Sequence, residues 1–193
     1  MVDDYSHYKA RFDSYNYQKL GNLKILTAVI KLLPEHLQTI QSHAESTYPE
    51  ECCGLILGYV TEGVKTAVEV IPTANAWSSE ADNFAENNTT HSTNRRYAIA
   101  PLVMLQVQKS ARDRSLNIIS IYHSHPNYPA VPSECDRSYA WTGYSYIIVS
   151  VQNGVAGEIN SWTLDDNHQF QAETILALES GNSDYIKVST NLN

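Results

Sequence analysis

The sequence has no apolar run near the 18 or so residues that a membrane-crossing helix needs, so no such helix is expected. Its three cysteines, two of them adjacent at Cys52 and Cys53, are too few for a disulfide framework. Basic residues are scarce: 13 Lys and Arg against 21 Asp and Glu leave a net charge of −8, with no Lys/Arg-rich block. Nucleic-acid binders usually carry a basic face, so no such partner is expected. The N-terminus MVDDYSHYKARFDSYNYQK has acids and tyrosines where a secretory leader has a basic end and an apolar stretch. The expected location is the cytoplasm.

What is present is ordinary for a globular protein. The 193 residues are 42% hydrophobic and 18% charged, enough for one domain with a sizeable core. Residues 1–28 form a polar, tyrosine-rich extension. A helix signal emerges from VIKLLPEHLQTIQSHAESTYPEE, with Pro34 in its first turn and Leu37, Ile40 and Ala44 on one face, and Tyr48-Pro49 ends it. CCGLILGYV and TAVEVIPT read as two strands joined by a turn at 61–63. Residues 73–96 form a long polar loop. A second helix, APLVMLQVQKSARDR, precedes the apolar strand LNIISIYHSH, a short helix in SECDRSYAWTG, and the strands YSYIIVSV, AGEINSWTL and HQFQAE. Interleaved helices and strands predict an α/β (α+β mixed) class with a central mixed sheet over 29–172, followed by a tail at 173–193.

The segment IYHSHPNYPAVPSECD, residues 121–136, holds most of the chemistry. In a strand, residues two apart share a face, so His123 and His125 project together with Ser124 opposite. Pro126 cannot continue the ladder, and Pro129 and Pro132 stiffen the turn that delivers Asp136. Two imidazoles and one carboxylate, with a fourth position open, are the donor set of a catalytic zinc. Ser133 and Asp136 also fit a helix cap, which would hold the aspartate in place. With 7 His, 9 Asp and 19 Ser, the joint spacing arises by chance in about one such chain per thousand.

The pattern His-x-His, seven residues, Ser, two residues, Asp resembles the signature of the JAMM (MPN-plus) metalloprotease family. YPEECCGLILG resembles the Pro-x-Glu-x-Cys-Gly form of that family's small sulfur-metabolism-type members, and RRYAIAP and YSYIIVSV are similar as well. The likeness spans roughly residues 30–170. It implies a curved sheet flanked by helices and one zinc per chain, held by His123, His125 and Asp136. It also implies Glu51 as general base and acid, and Ser133 as hydrogen-bond donor to the developing oxyanion. The implied substrate is an amide or isopeptide bond at the C-terminus of a ubiquitin-like or sulfur-carrier protein with a flexible Gly-Gly-type tail.

Without the resemblance, Glu50 and Glu51 read as exposed acids between a helix and a strand. Cys135, inside the motif, reads as a small buried residue or an oxidant sensor. Two rival functions share part of the pattern. A non-catalytic scaffold of the same fold is disfavoured because all five functional positions are present. A RadC-like DNA-associated protein is disfavoured by the acidic charge and by PEECCG.

Overall fold

The computed structural model describes residues 28–80, 93–178 and 185–187. In chain order the elements are β1 (Val29–Leu32), α1 (Pro34–Thr47), β2 (Cys53–Thr61), β3 (Val64–Thr73) and the short α2 (Trp77–Glu80). There follow α3 (Pro101–Asp113), β4 (Asn117–Pro126), α4 (Glu134–Tyr139), β5 (Ser145–Gln152), β6 (Val155–Leu164), β7 (Phe170–Leu178) and β8 (Tyr185–Lys187).

Two of the expected boundaries move. VIKL at 29–32 is a strand, where the sequence reading runs the helix signal back to Val29. Its alternating burial turns Ile30 and Leu32 inward, and the helix starts only at Pro34. The boundary expected at 172 falls inside β7, which continues to Leu178 because its residues 174–177 pair with β1. The 1–28 extension lies outside the described residues except for Ala28, as do 81–92 of the expected loop and 179–184 and 188–193 of the expected tail.

The strand order is β1-β3-β2-β4-β5-β6-β7-β8, and β1 pairs with β7 as well as β3, so the sheet curls until it closes like a barrel. The pairs β1–β3, β1–β7 and β4–β5 are parallel and the others antiparallel. This is the mixed α/β class with a curved mixed sheet and flanking helices. Two hairpins are set by their turns. Glu62-Gly63 (φ 51° and 78°) and Asn153-Gly154 (φ 53° and 84°) take positive φ at both central positions, which matches the strand twist.

One face of the sheet packs Ile56, Tyr122, Ile147, Val149, Ile159 and Ile175 against Ile40 and Ala44 of α1. The other packs Leu55, Ile121, Tyr146 and Leu164 beneath Tyr97, Ile99 and the α3 residues Met104 and Val107. The central strands are therefore covered on both sides and read as continuous apolar runs. Burying one Ile or Leu contributes about 1.5–3 kcal/mol, so a polar side chain in these strands has to be held by something else. A register shift of β2 against β4, between Ile56 and Leu57, puts Ile119 and Tyr122 on the α1 face and Ile121 on the other. Gly54 makes room for the Tyr122 ring: a Cβ there would lie 2.3 Å from it.

Candidate active site

β4 and β5 run parallel, so the chain between them must travel back along the sheet, and that connection carries α4. Ser133 caps α4 as the sequence spacing suggests. Its Oγ accepts from the Asp136 N–H at 3.1 Å, and Asp136 Oδ2 accepts from the Ser133 N–H at 2.6 Å. The cap fixes the aspartate where the return path crosses the end of β4. There Asp136 Oδ1 lies 3.3 Å from His123 Nε2, and Oδ2 lies 3.7 Å from His125 Nε2. The two Nε2 atoms are 3.0 Å apart, and one ligand atom from each of the three residues falls within 4.8 Å of the others.

Each histidine is oriented by a contact that the sequence reading missed. His125 Nδ1 lies 2.8 Å from the Pro129 carbonyl oxygen, to which it donates, so its Nε2 keeps a lone pair for a ligand. His123 stacks on Tyr97 with ring centroids 4.5 Å apart and planes at 22°. His123 Nδ1 is buried and has no hydrogen-bond partner among the described residues.

Burial depresses the His123 pKa and keeps the ring neutral, as metal ligation requires. Burial acts the same way on His125, but the Asp136 carboxylate and Glu51 reverse the direction and raise it. For Asp136, burial works against the charged form, yet the two imidazoles and Ser133 hold its carboxyl well below the usual range. Two imidazole nitrogens and one charged carboxylate, converging on one point, fit a divalent zinc with an open position.

Glu50 and Glu51 differ sharply. Glu50 is exposed, and its Oε1 accepts from Thr93 Oγ1 at 2.7 Å. Glu51 is only 7% exposed, against the surface position that its local sequence suggests. Burial pushes its pKa up to about 8; the charges of His125, Arg96 and Arg95 pull it down and that of Asp136 pushes it further up. Its backbone is pinned on both sides. Glu51 N–H donates to the Thr93 carbonyl at 2.8 Å, and Asn75 Nδ2 donates to the Glu51 carbonyl at 3.0 Å. One residue on, Cys52 N–H donates to Ser124 Oγ at 2.8 Å, so the serine between the two histidines ties β4 to the segment carrying Glu51.

Glu51, Ser133, Cys135 and Asp136 share the wall of a cavity of about 170 Å³. Ser133 is exposed and Cys52 and Cys53 are buried, and burial raises both of those thiols. None of the three cysteines is in a disulfide. The remaining cavity walls are mostly aromatic and apolar, with Arg95 and Arg96 on them; from the sequence, RRYAIAP entered only as part of the family likeness, and none of these side chains was given a role of its own. Arg95-Arg96 did leave a signal, since it is the one adjacent basic pair in an acidic chain.

Comparison with known proteins gives this arrangement a family. The chain is 28% identical over 142 residues to "Desampylase" of Haloferax volcanii, covering 71% of this chain and 90% of that one. It is 38% identical over 52 residues to "Probable TtuB-protein conjugate cleaving protease" of Thermus thermophilus, covering 27% of this chain and 35% of that one. A solution structure from Desulfitobacterium hafniense shows the same fold, with a TM-score of 0.63 and 23% identity over 78% of this chain and 93% of the other. Residues 33–165 match Prok-JAB, described as prokaryotic homologs of the JAB domain. That stretch runs from the residue before α1 to the residue after β6 and takes in every element that brings a side chain to the cluster. The chain therefore belongs to the family of prokaryotic homologs of the JAB domain, the small JAMM/MPN proteins.

Proposed function

We propose that the protein is a zinc-dependent peptidase that hydrolyses an amide or isopeptide bond at the C-terminal tail of a ubiquitin-like or sulfur-carrier protein. The observation that carries this reading is the convergence of His123, His125 and Asp136, the last of which shares a cavity wall with the buried Glu51. The names of the two relatives, a desampylase and a conjugate-cleaving protease, support the substrate class.

His123, His125 and Asp136 would hold the ion, which when bound supplies Lewis acidity and makes water a stronger acid. Glu51 takes the proton from the attacking water and hands it to the departing amine nitrogen. Burial raises the Glu51 carboxyl and a bound dication would lower it again, so the group is placed to take a proton and to give it back. Asp136 is not available for it, since its carboxyl is held charged and its oxygens face the two imidazoles. Ser133 Oγ accepts from Asp136 N–H, which leaves its own hydrogen to donate to the oxyanion that appears only in the transition state.

Metal analysis of the purified protein should give close to one zinc per chain, falling sharply in the His123→Ala/His125→Ala double variant. Mass spectrometry of a carrier-protein fusion should show one cut after its Gly-Gly tail. Full zinc retention in the double variant, or cuts scattered through casein, would overturn the reading.

A further inference from the structure

The turn that leaves β4 presents three successive carbonyl groups to the sheet, and side chains engage each of them. The middle one, of Pro129, takes the His125 Nδ1 proton at 2.8 Å and the Val131 N–H at 2.9 Å. On one side of it, Ser150 Oγ donates to the Tyr128 carbonyl oxygen at 2.7 Å, and Gln152 Nε2 donates to Ser150 Oγ at 2.9 Å. On the other side, Asn160 Nδ2 and Trp162 Nε1 both donate to the Ala130 carbonyl oxygen, each at 3.2 Å.

The strand register puts these donors where they are. Ser150 is level with His125, and Asn160 is level with His123 by way of Ile148. Residues opposite one another on neighbouring strands share a face, as do alternate residues along a strand. Ser150, Asn160 and Trp162 therefore stand on the face that carries the two histidines. Ser161, between the last two, turns the other way and donates to Glu173 Oε2.

Asn160 shows a constraint other than stability. It is 2% exposed, its Nδ2 also donates to Glu158 Oε1 at 3.1 Å, and its Oδ1 has no partner among the described residues. Turning the amide over would set that oxygen against two acceptors, so the donors stay where they are and the oxygen stays bare. A buried acceptor without a partner costs stability, and an apolar side chain of the same shape would avoid the cost. What the amide supplies in return is a donor to the Ala130 carbonyl.

We propose that Ser150, Asn160 and Trp162 are positioning residues for His125 as a zinc ligand. By holding the carbonyls of Tyr128 and Ala130 they aim the Pro129 carbonyl between them at His125 Nδ1. That bond keeps the proton on Nδ1 and sets the ring rotation, so Nε2 is presented to the ion. None of the three touches the ion; each acts through the Pro129 carbonyl. The proposal rests on the zinc site read above and deepens it by naming what holds one of its ligands.

The test compares the full-length protein with three variants. Asn160→Leu/Trp162→Phe removes both donors to Ala130, and Trp162→Phe alone removes one while keeping a ring. Ser161→Ala removes a buried bond from the same strand on the opposite face. Zinc affinity, read by competition with a chromogenic chelator, should weaken at least about 10-fold in the double variant and by a smaller factor in Trp162→Phe, as when an outer partner of a metal-bound histidine is lost. Ser161→Ala should bind zinc like the wild type although its melting temperature falls. In the zinc-loaded protein the downfield His125 Nδ1–H proton resonance should broaden or vanish in the double variant and persist in Ser161→Ala. Unchanged zinc affinity, or an unchanged resonance, in the folded double variant overturns the proposal and leaves the hydrolase reading intact. If the double variant does not fold, Trp162→Phe decides by the same two measurements. A loss of affinity in Ser161→Ala as large as in Trp162→Phe also overturns it, because lowered stability would then suffice. Wild-type protein that binds zinc but cuts no carrier fusion overturns the hydrolase reading alone, and wild-type protein that binds no zinc overturns both.

Discussion

The sheet holds two groups of buried polar side chains, and they differ in how completely they satisfy themselves. Lys65 Nζ donates to Ser145 Oγ at 2.8 Å and lies 3.4 Å from Glu173 Oε1, while Ser161 Oγ donates to Glu173 Oε2 at 2.6 Å. Each charge there meets a partner. Further along the sheet, on β4 and α4, the His123–His125–Asp136 group leaves His123 Nδ1 without a partner among the described residues and turns two Nε2 atoms toward each other. Ser145 is level with Ser120 on β4 and Ser150 with His125, so the groups are separated along the strand direction and built on the same scaffold. A network that closes on itself needs only the fold. One that leaves donors converging on a point could hold a cation, as the proposed function requires.

The strongest way to break this contrast is to open the closed network. Glu173→Ala leaves the largely buried Lys65 ammonium without its counter-charge, and stability should fall by about 3–5 kcal/mol in denaturant unfolding. Zinc per folded chain should not change. A loss no larger than the roughly 1 kcal/mol of a surface pair would show that the network does not hold the barrel closed.

Next in size is a change inside the open group. Glu51→Gln should lower turnover at least about 10²-fold, roughly 2.7 kcal/mol of barrier, with zinc content and fold retained. Its stability should stay level or rise, since a neutral amide removes the cost of burying a charge. Glu50→Gln, exposed on the other side of the chain, should keep most activity. Rates and zinc content for the pair decide the assignment: a dead Glu50→Gln with an active Glu51→Gln would reverse it.

The smallest effect is expected where the two chain segments of the site are joined. Ser124→Ala leaves the buried Cys52 N–H without its acceptor, at about 1–2 kcal/mol. Zinc should stay at one equivalent, because Ser124 points away from the face that carries the two histidines. Zinc loss in this variant would tie Ser124 to the metal ligands and not to the Glu51 segment.

The parts of this protein that follow from spacing were legible without a structure. His123 and His125 share a face because a strand repeats every two residues, and Ser133 with Asp136 reads as a cap because the first helical turn has that length. Glu51 was legible only through the family likeness, since nothing in PEEC tells a buried acid from an exposed one. Its backbone is held by Asn75 and Thr93, 24 and 42 positions away, and the next residue, Cys52, by Ser124. β1 was missed for the same reason. Four residues beside a helix carry little period of their own, and what makes them a strand is β3 and the far end of β7, which pairs Val29 with Thr174. That pairing also carries the domain past 172 and brings in Glu173, more deeply buried than Glu51. The sequence by itself determined the ligand types, their local spacing and the class of fold, because backbone periodicity acts over a few residues. Only the tertiary structure decided which acid is desolvated, what orients each imidazole and where the arginines stand. Burial and charge depend on which distant segments close over a side chain, and a linear spacing does not record that.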